Sequence, residues 1–157
     1  IIGFFAGFTY WFPKMFGKMM NETLGKIHFW GTVIPFNGIF LPLFVLGLAG
    51  QHRRIYNFQH FPDLATPELQ NLRIFATMSL VTMLAFQLVF FFNLVRSLMS
   101  GKKAGKNPWK SNTLEWTAES PPPHGNWPEG LPTVYRGPYE YSVPGRDSDY
   151  WPQDQKD

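Results

Sequence analysis

The chain has 157 residues and a net charge of only +3, too small a surplus to mark a nucleic-acid binder, and no basic stripe interleaved with aromatics stands out. It contains no cysteine, which excludes disulfides and thiolate metal sites. A mean hydropathy of −0.16 with 16% charged residues would pass for a soluble protein, but that average conceals two long runs without any Asp, Glu, Lys or Arg, at 29–51 and 74–95.

Residues 1–12 form a first apolar segment, too short to span a bilayer, which Pro13 is expected to end. It lacks an initiating Met and a basic leader, so it reads as the cut end of a longer transmembrane helix rather than a signal peptide. Residues 13–27 form a basic loop. The second apolar segment, 28–50, holds Pro35 and Pro42, seven apart and so on one face, together with Gly31, Gly38 and Gly47. A soluble helix would break there; in a membrane, neighbouring helices re-satisfy the freed carbonyls. Residues 51–71 form a second loop. The third segment, 72–98, has no Pro or Gly and is expected to be the straightest helix. About 22 uncharged helical residues reach ~33 Å, close to the thickness of a bilayer core. Thr77, Ser79, Thr82, Gln87 and Asn93 are its polar members, suited to interhelical hydrogen bonds or to bonds with the helix's own carbonyls. The tail, 99–157, is polar and Pro-rich; it is expected to have little regular structure, to lie on a protein surface, and to be disordered at its end. The pattern predicts an all-α integral membrane protein.

Charge fixes an orientation. Lys14, Lys18 and Lys26 precede the second segment, and Arg96, Lys102, Lys103, Lys106 and Lys110 follow the third or close it. The intervening loop holds only Arg53, Arg54 and Arg73. The positive-inside rule places 13–27 and the tail in the cytoplasm and 51–71 outside. Arg53 and Arg54 are then exceptions, on the side where basic residues are scarce. Spacing alone favours the reading that they snorkel to lipid phosphates. The other reading is a clamp for two carboxylates or phosphates, since guanidinium is planar, permanently charged and bidentate.

The histidines are weaker signals. His52 and His60 share the outer loop with Asp63, yet their spacing matches no metal-ligand pattern. His28 suits capping or packing at the start of the second segment, and His124 lies in the tail. Tyr10, Trp11, Phe12, Phe29 and Trp30 gather at one predicted membrane interface. Phe90, Phe91 and Phe92 read as lipid-facing or packed. Nothing resembles a nucleophile–base pair, a phosphate-cradling loop or paired catalytic carboxylates.

Four stretches carry a resemblance: "WFPKMFG" (11–17), "NETLGKIHF" (21–29), "GLAGQHRR" (47–54) and "NPWKSNTLEWTAESPPPH" (107–124). Together they resemble subunit I of the haem–copper terminal oxidases, of bacterial type, in its C-terminal part. The resemblance implies the end of the tenth helix plus the eleventh and twelfth helices of a twelve-helix bundle, followed by an irregular Pro-rich tail. Both termini of the family lie in the cytoplasm, which agrees with the charge count. It implies a parent that passes electrons from cytochrome c to O2, forms water and pumps protons. The parent's cofactors would be two haems, low-spin and high-spin, and copper. Its partners would be the rest of subunit I, subunits II and III, the electron donor and the lipid membrane of a bacterial cell.

By the same resemblance, Arg53 and Arg54 pair with haem propionates on the outer side and bias the haem potentials. The family's metal-ligating histidines precede the end of the tenth helix, so this chain is expected to hold no metal ligand and to be inactive alone. Two departures stand out. The family usually has Met-Pro before the arginines, where this chain has Gln51 and His52. It usually has Pro-Gln-His-Phe earlier, where this chain has Pro42-Leu43-Phe44-Val45. Two alternatives stay open: a quinol-oxidising member of the family, and a non-enzymatic membrane anchoring or assembly subunit.

Overall fold

The computed structural model describes residues 1–141 and 143–156. Three α-helices carry it: α1 (Ile2–Phe16), α2 (Glu22–Leu48) and α3 (Pro67–Ser100). Short 3-10 turns lie at Phe58–His60, Pro62–Leu64 and Leu114–Thr117. Among the described residues there is no strand, only an isolated antiparallel bridge between Lys18 and Lys103. The chain divides into two compact units, Ile1–Asn21 with Val95–Asp157, and Glu22–Leu94.

All three helices extend past at least one end of their apolar segments, for one reason, although α2 stops at Leu48, short of 50. Counting apolar residues finds the part of a helix that sits in hydrocarbon; it misses polar turns that continue the same hydrogen-bond ladder. Thus α2 begins at Glu22, whose carboxylate pairs with Lys26 one turn on at 2.7 Å. Helix α3 begins at Pro67, whose fixed φ and missing N–H suit a first helical position. Helix α1 does not stop at Pro13, correcting the sequence expectation. The proline forfeits only its own hydrogen bond to Thr9, and the helix closes one turn later at Gly17, in the left-handed region at φ 63°, whose N–H bonds the Pro13 carbonyl at 2.9 Å.

In the unit Glu22–Leu94, α2 and α3 meet along a buried seam of mixed large and small residues. On α2 the buried positions are His28, Gly31, Thr32, Pro35, Pro42 and Leu46. On α3, Ala76, Ser79, Phe90 and Asn93 are buried. A Cβ on Gly31 would collide with the Phe86 ring, and one on Gly38 would sit 2.6 Å from Ser79 Oγ. Both glycines thus let the α3 side chains reach the α2 backbone. Each also stands four residues before a proline, so Pro35 and Pro42 free the carbonyls of Gly31 and Gly38. The helix nevertheless continues through both.

Polar residues add a ladder across this seam. Gln87 Nε2 donates to Thr32 Oγ1 (3.1 Å) and to the Met83 carbonyl (3.0 Å), while Gln87 Oε1 lies 3.1 Å from His28 Nε2. Thr77 and Thr82 donate back to the carbonyls of Arg73 and Met78. Outside the seam the helices expose Ile34, Leu41, Phe44, Met78, Val81, Leu84, Leu88 and Phe91. Both helices are long and apolar enough to cross a bilayer, and most of their surface lies outside any core of this chain.

In the other unit, the tail lies against the end of α1. Lys14 is buried, and its ammonium donates to the carbonyls of Ala118 (2.7 Å), Lys106 (3.3 Å) and Glu119 (3.3 Å), above the Trp116 ring. Tyr10 adds a hydroxyl bond to Ser111 (2.8 Å) and accepts at its carbonyl from Trp109 Nε1 (2.8 Å). A Cβ on Gly17 would stand 2.7 Å from Pro121 Cδ, a second reason for glycine there. Two of the stretches singled out in the sequence, 11–17 and 107–124, therefore form one packed body.

Beyond Thr117 no described residue belongs to a helix or strand, but side chains take over the backbone bonding. Buried Asn112 donates to the Asp149 carbonyl (2.7 Å) and accepts from the Trp151 N–H (2.6 Å). Buried Gln153 accepts from the Leu114 N–H (2.9 Å) and donates to the Arg136 carbonyl (3.0 Å). Arg136 and Arg146 lie over the Trp151 ring, each within 3.4 Å of its centre. Residues 151–153 are held by these contacts, and residue 157, the last of those expected to be disordered, lies outside the described residues.

Burial beneath the tail pushes the Lys14 pKa down from the ordinary lysine value, with Glu119 opposing. A lowered pKa in the docked state means the undocked tail leaves Lys14 binding more protons. Docking should therefore strengthen, not weaken, as pH rises toward 10.5.

Two predictions follow from this packing. Gly38→Val should lower the thermal midpoint in detergent, with a cost of about 1–3 kcal/mol from overpacking, whereas Gly47→Ala, where a Cβ meets nothing within 4 Å, should not. Lys14→Met leaves three carbonyls without their donor at about 1–3 kcal/mol. Limited proteolysis should then cut the tail near 107–120 in the variant and spare it in the parent chain.

Candidate functional site

Helix α2 ends in a motif that aims the next residues. The Gln51 N–H bonds the Leu46 carbonyl and the Gly50 N–H bonds the Gly47 carbonyl, both at 3.0 Å. This paired pattern with a left-handed Gly50 (φ 90°) is a Schellman cap. The chain then reverses in a turn at Arg53 and Arg54, with Arg54 itself left-handed at φ 65°. An arginine rarely adopts that conformation, so the turn is held by its surroundings rather than by its own preference.

The surroundings centre on Arg73, in the second turn of α3. Its Nε donates to Gln51 Oε1 (3.0 Å), its other nitrogens to the Leu64 carbonyl (2.7 Å) and Gln70 Oε1 (3.2 Å), and its guanidinium lies 4.0 Å from the centre of the Phe58 ring. Three residues of the loop 51–66 are thereby fixed to one side chain. Gln51 is one of the family departures, and this is what it does here. The other, His52, lies edge-on to Phe61 at 6.3 Å. The sequence marked Arg73 only as one of three outer arginines; its role depends on a contact across 22 positions, which no local pattern encodes.

Arg53 and Arg54 are both exposed, and neither has a hydrogen-bond or ion-pair partner among the described residues. They follow the C-terminus of a 27-residue helix, where the helix dipole favours cations. Two adjacent guanidinium groups with free donors can accept two carboxylates, or a phosphate, in bidentate fashion. Of the other histidines, His28 faces Gln87 and Phe90 in the helix seam, His60 lies in a 3-10 turn, and His124 is exposed in the tail. Among the described residues no three His, Cys, Asp or Glu side chains come together as a metal site, so His52, His60 and Asp63 form none.

A pair of membrane-capable helices joined by a loop that carries an arginine turn is the class of protein that this geometry defines. The family model described as cytochrome c and quinol oxidase polypeptide I matches residues 1–82, and the chain belongs to that family. It is 46% identical over 147 residues to the alternative cytochrome c oxidase subunit 1 of Bradyrhizobium diazoefficiens, covering 93% of this chain and 25% of the relative. It is 41% identical to cytochrome c oxidase subunit 1 of Thermostichus vulcanus, with the same coverage. A cytochrome bo(3) ubiquinol oxidase subunit 1 from Buchnera aphidicola is 38% identical over 130 residues, 81% of this chain and 19% of the relative. The chain thus spans about a quarter of the length of the curated relatives it matches.

The brace gives a direct test. Arg73→Ala should raise amide hydrogen exchange across 51–66 by roughly tenfold or more, as two or three hydrogen bonds are lost. Arg53→Ala, which removes no such bond, should leave that exchange unchanged.

Proposed function

We propose that this chain is the C-terminal part of subunit I of a proton-pumping respiratory oxidase. It contributes the end of the tenth helix and the eleventh and twelfth helices of a twelve-helix bundle, closes that bundle, and holds haem propionates through Arg53 and Arg54. One observation carries the reading: an exposed, internally unpartnered arginine pair, set on a braced turn at the exit of a membrane helix, in a chain of this family. Haem propionates are carboxylates in a poorly solvated place, and two free guanidinium forks match them in charge and shape.

The two haems and copper would supply electron transfer and reduction of O2 to water; their ligands belong to the remainder of subunit I, and the isolated chain is inactive. The residues here act on charge. Arg53 and Arg54 keep the propionates ionised, while Arg73 and Gln51 keep the pair in register. The basic residues of 13–27 and 96–110 put the tail in the cytoplasm and the arginine turn outside. Subunits II and III complete the assembly in a bacterial cytoplasmic membrane. Cytochrome c is the donor in this reading. Quinol is the second reading, favoured by the similarity to a ubiquinol oxidase subunit.

Redox titration of the assembled oxidase tests the clamp. Removing a cation beside a haem disfavours the reduced, less positive iron. Arg53→Ala and Arg54→Ala should therefore lower a haem midpoint potential by on the order of tens of millivolts. Lys26→Gln, in the first turns of α2 and paired with Glu22, should leave it in place. Unchanged potentials in both arginine variants would overturn the assignment.

A further inference from the structure

We infer that the inner end of α3, with the backbone segment that pairs beside it, is a binding site for the phosphodiester headgroup of an anionic phospholipid. The site is built by a short antiparallel pairing. The Met19 N–H bonds the Lys102 carbonyl and the Ala104 N–H bonds the Gly17 carbonyl, both at 2.8 Å, which sets Lys18 directly opposite Lys103. Like charges placed opposite each other in such a pair repel. Lys18 turns toward the end of α3, where its ammonium donates to the carbonyls of Leu98 and Met99. Lys102 and Lys103 stay exposed next to it, and Arg96 is exposed one turn before the helix ends.

The neighbouring lysines are accounted for. Lys26 pairs with Glu22, Lys106 faces Glu119 at 3.7 Å, and Lys14 is held by three carbonyls. No carboxylate among the described residues pairs with Lys18, Arg96, Lys102 or Lys103. The backbone therefore fixes a group of cations and supplies no internal counter-charge. Something anionic belongs there.

The flanks choose a lipid over a free anion. Met99 is 78% exposed on the last turn of α3, and Trp11, Met15 and Phe16 are exposed on α1. Apolar side chains with ammonium groups at the end of a membrane-spanning helix match an acyl chain below a phosphate. A soluble phosphate would have no use for that apolar surface. Each cation near a membrane surface raises affinity for anionic lipid by roughly fivefold.

The test uses the purified membrane protein that contains this chain, in mild nonionic detergent. Native mass spectrometry would read binding of dioleoyl-phosphatidylglycerol against dioleoyl-phosphatidylcholine. Phosphatidylglycerol should be retained preferentially. Lys102→Gln with Lys103→Gln should weaken its binding roughly 25-fold without changing phosphatidylcholine, and Lys26→Gln should change neither. Should the glutamine variant lose helicity, the pair Lys102→Arg with Lys103→Arg must keep the preference. Equal retention of the two lipids, no effect of the double glutamine variant, loss of preference in the arginine pair, displacement of the lipid by millimolar inorganic phosphate, or occupation by an acidic protein segment would each overturn the assignment.

Discussion

A helix in hydrocarbon must satisfy its backbone groups within itself, and its ends must find partners before the chain can turn. Most of what is specific in this protein answers that constraint. Gly17 closes α1 by taking a left-handed φ, and Gly50 closes α2 in the same way with two paired bonds. The carbonyls near the end of α3 receive the Lys18 ammonium. Two devices, a left-handed glycine and a lysine ammonium, serve one need, and each places a functional or binding candidate immediately beyond it. The arginine turn follows Gly50, and the lysine pair follows α3.

The interior of the Glu22–Leu94 unit obeys the same constraint. Pro35 and Pro42 free two carbonyls in α2, yet the helix stays continuous. Lipid tails give no hydrophobic reason for two helices to associate, so the seam relies on close approach at Gly31 and Gly38 and on the Gln87 bonds to Thr32 and His28. In the tail, where water is available, the solution differs. Asn112, Gln153 and Arg136 bond directly to backbone groups of distant residues, doing with side chains what a sheet would do with strands.

Arg73 shows why a site is more than its most visible residues. Arg53 and Arg54 stand out in sequence because they are adjacent and lie in a loop poor in basic residues. Arg73 looks like one more outer arginine. It nonetheless ties Gln51, Leu64 and Phe58 to α3, and with them the loop in which the pair sits. Gln51 departs from the family's usual residue and is the acceptor that makes part of this brace possible.

The sequence by itself determined the two membrane-capable helices and the position of the arginine pair at the exit of the first. Uncharged length and the placement of basic residues are properties of the linear chain, legible without contacts. It also carried the family, through four short motifs that the family match and the relatives support. Only the tertiary structure decided that Pro13 lies inside α1, that the tail is held to α1 by Lys14, that Lys18 and Lys103 are opposed, and that Arg73 braces the outer loop. Each of these joins residues that are distant in sequence or turns on a cap outside the apolar run. Periodicity measures what a residue does within its own helix, and long-range hydrogen bonds leave no trace in it.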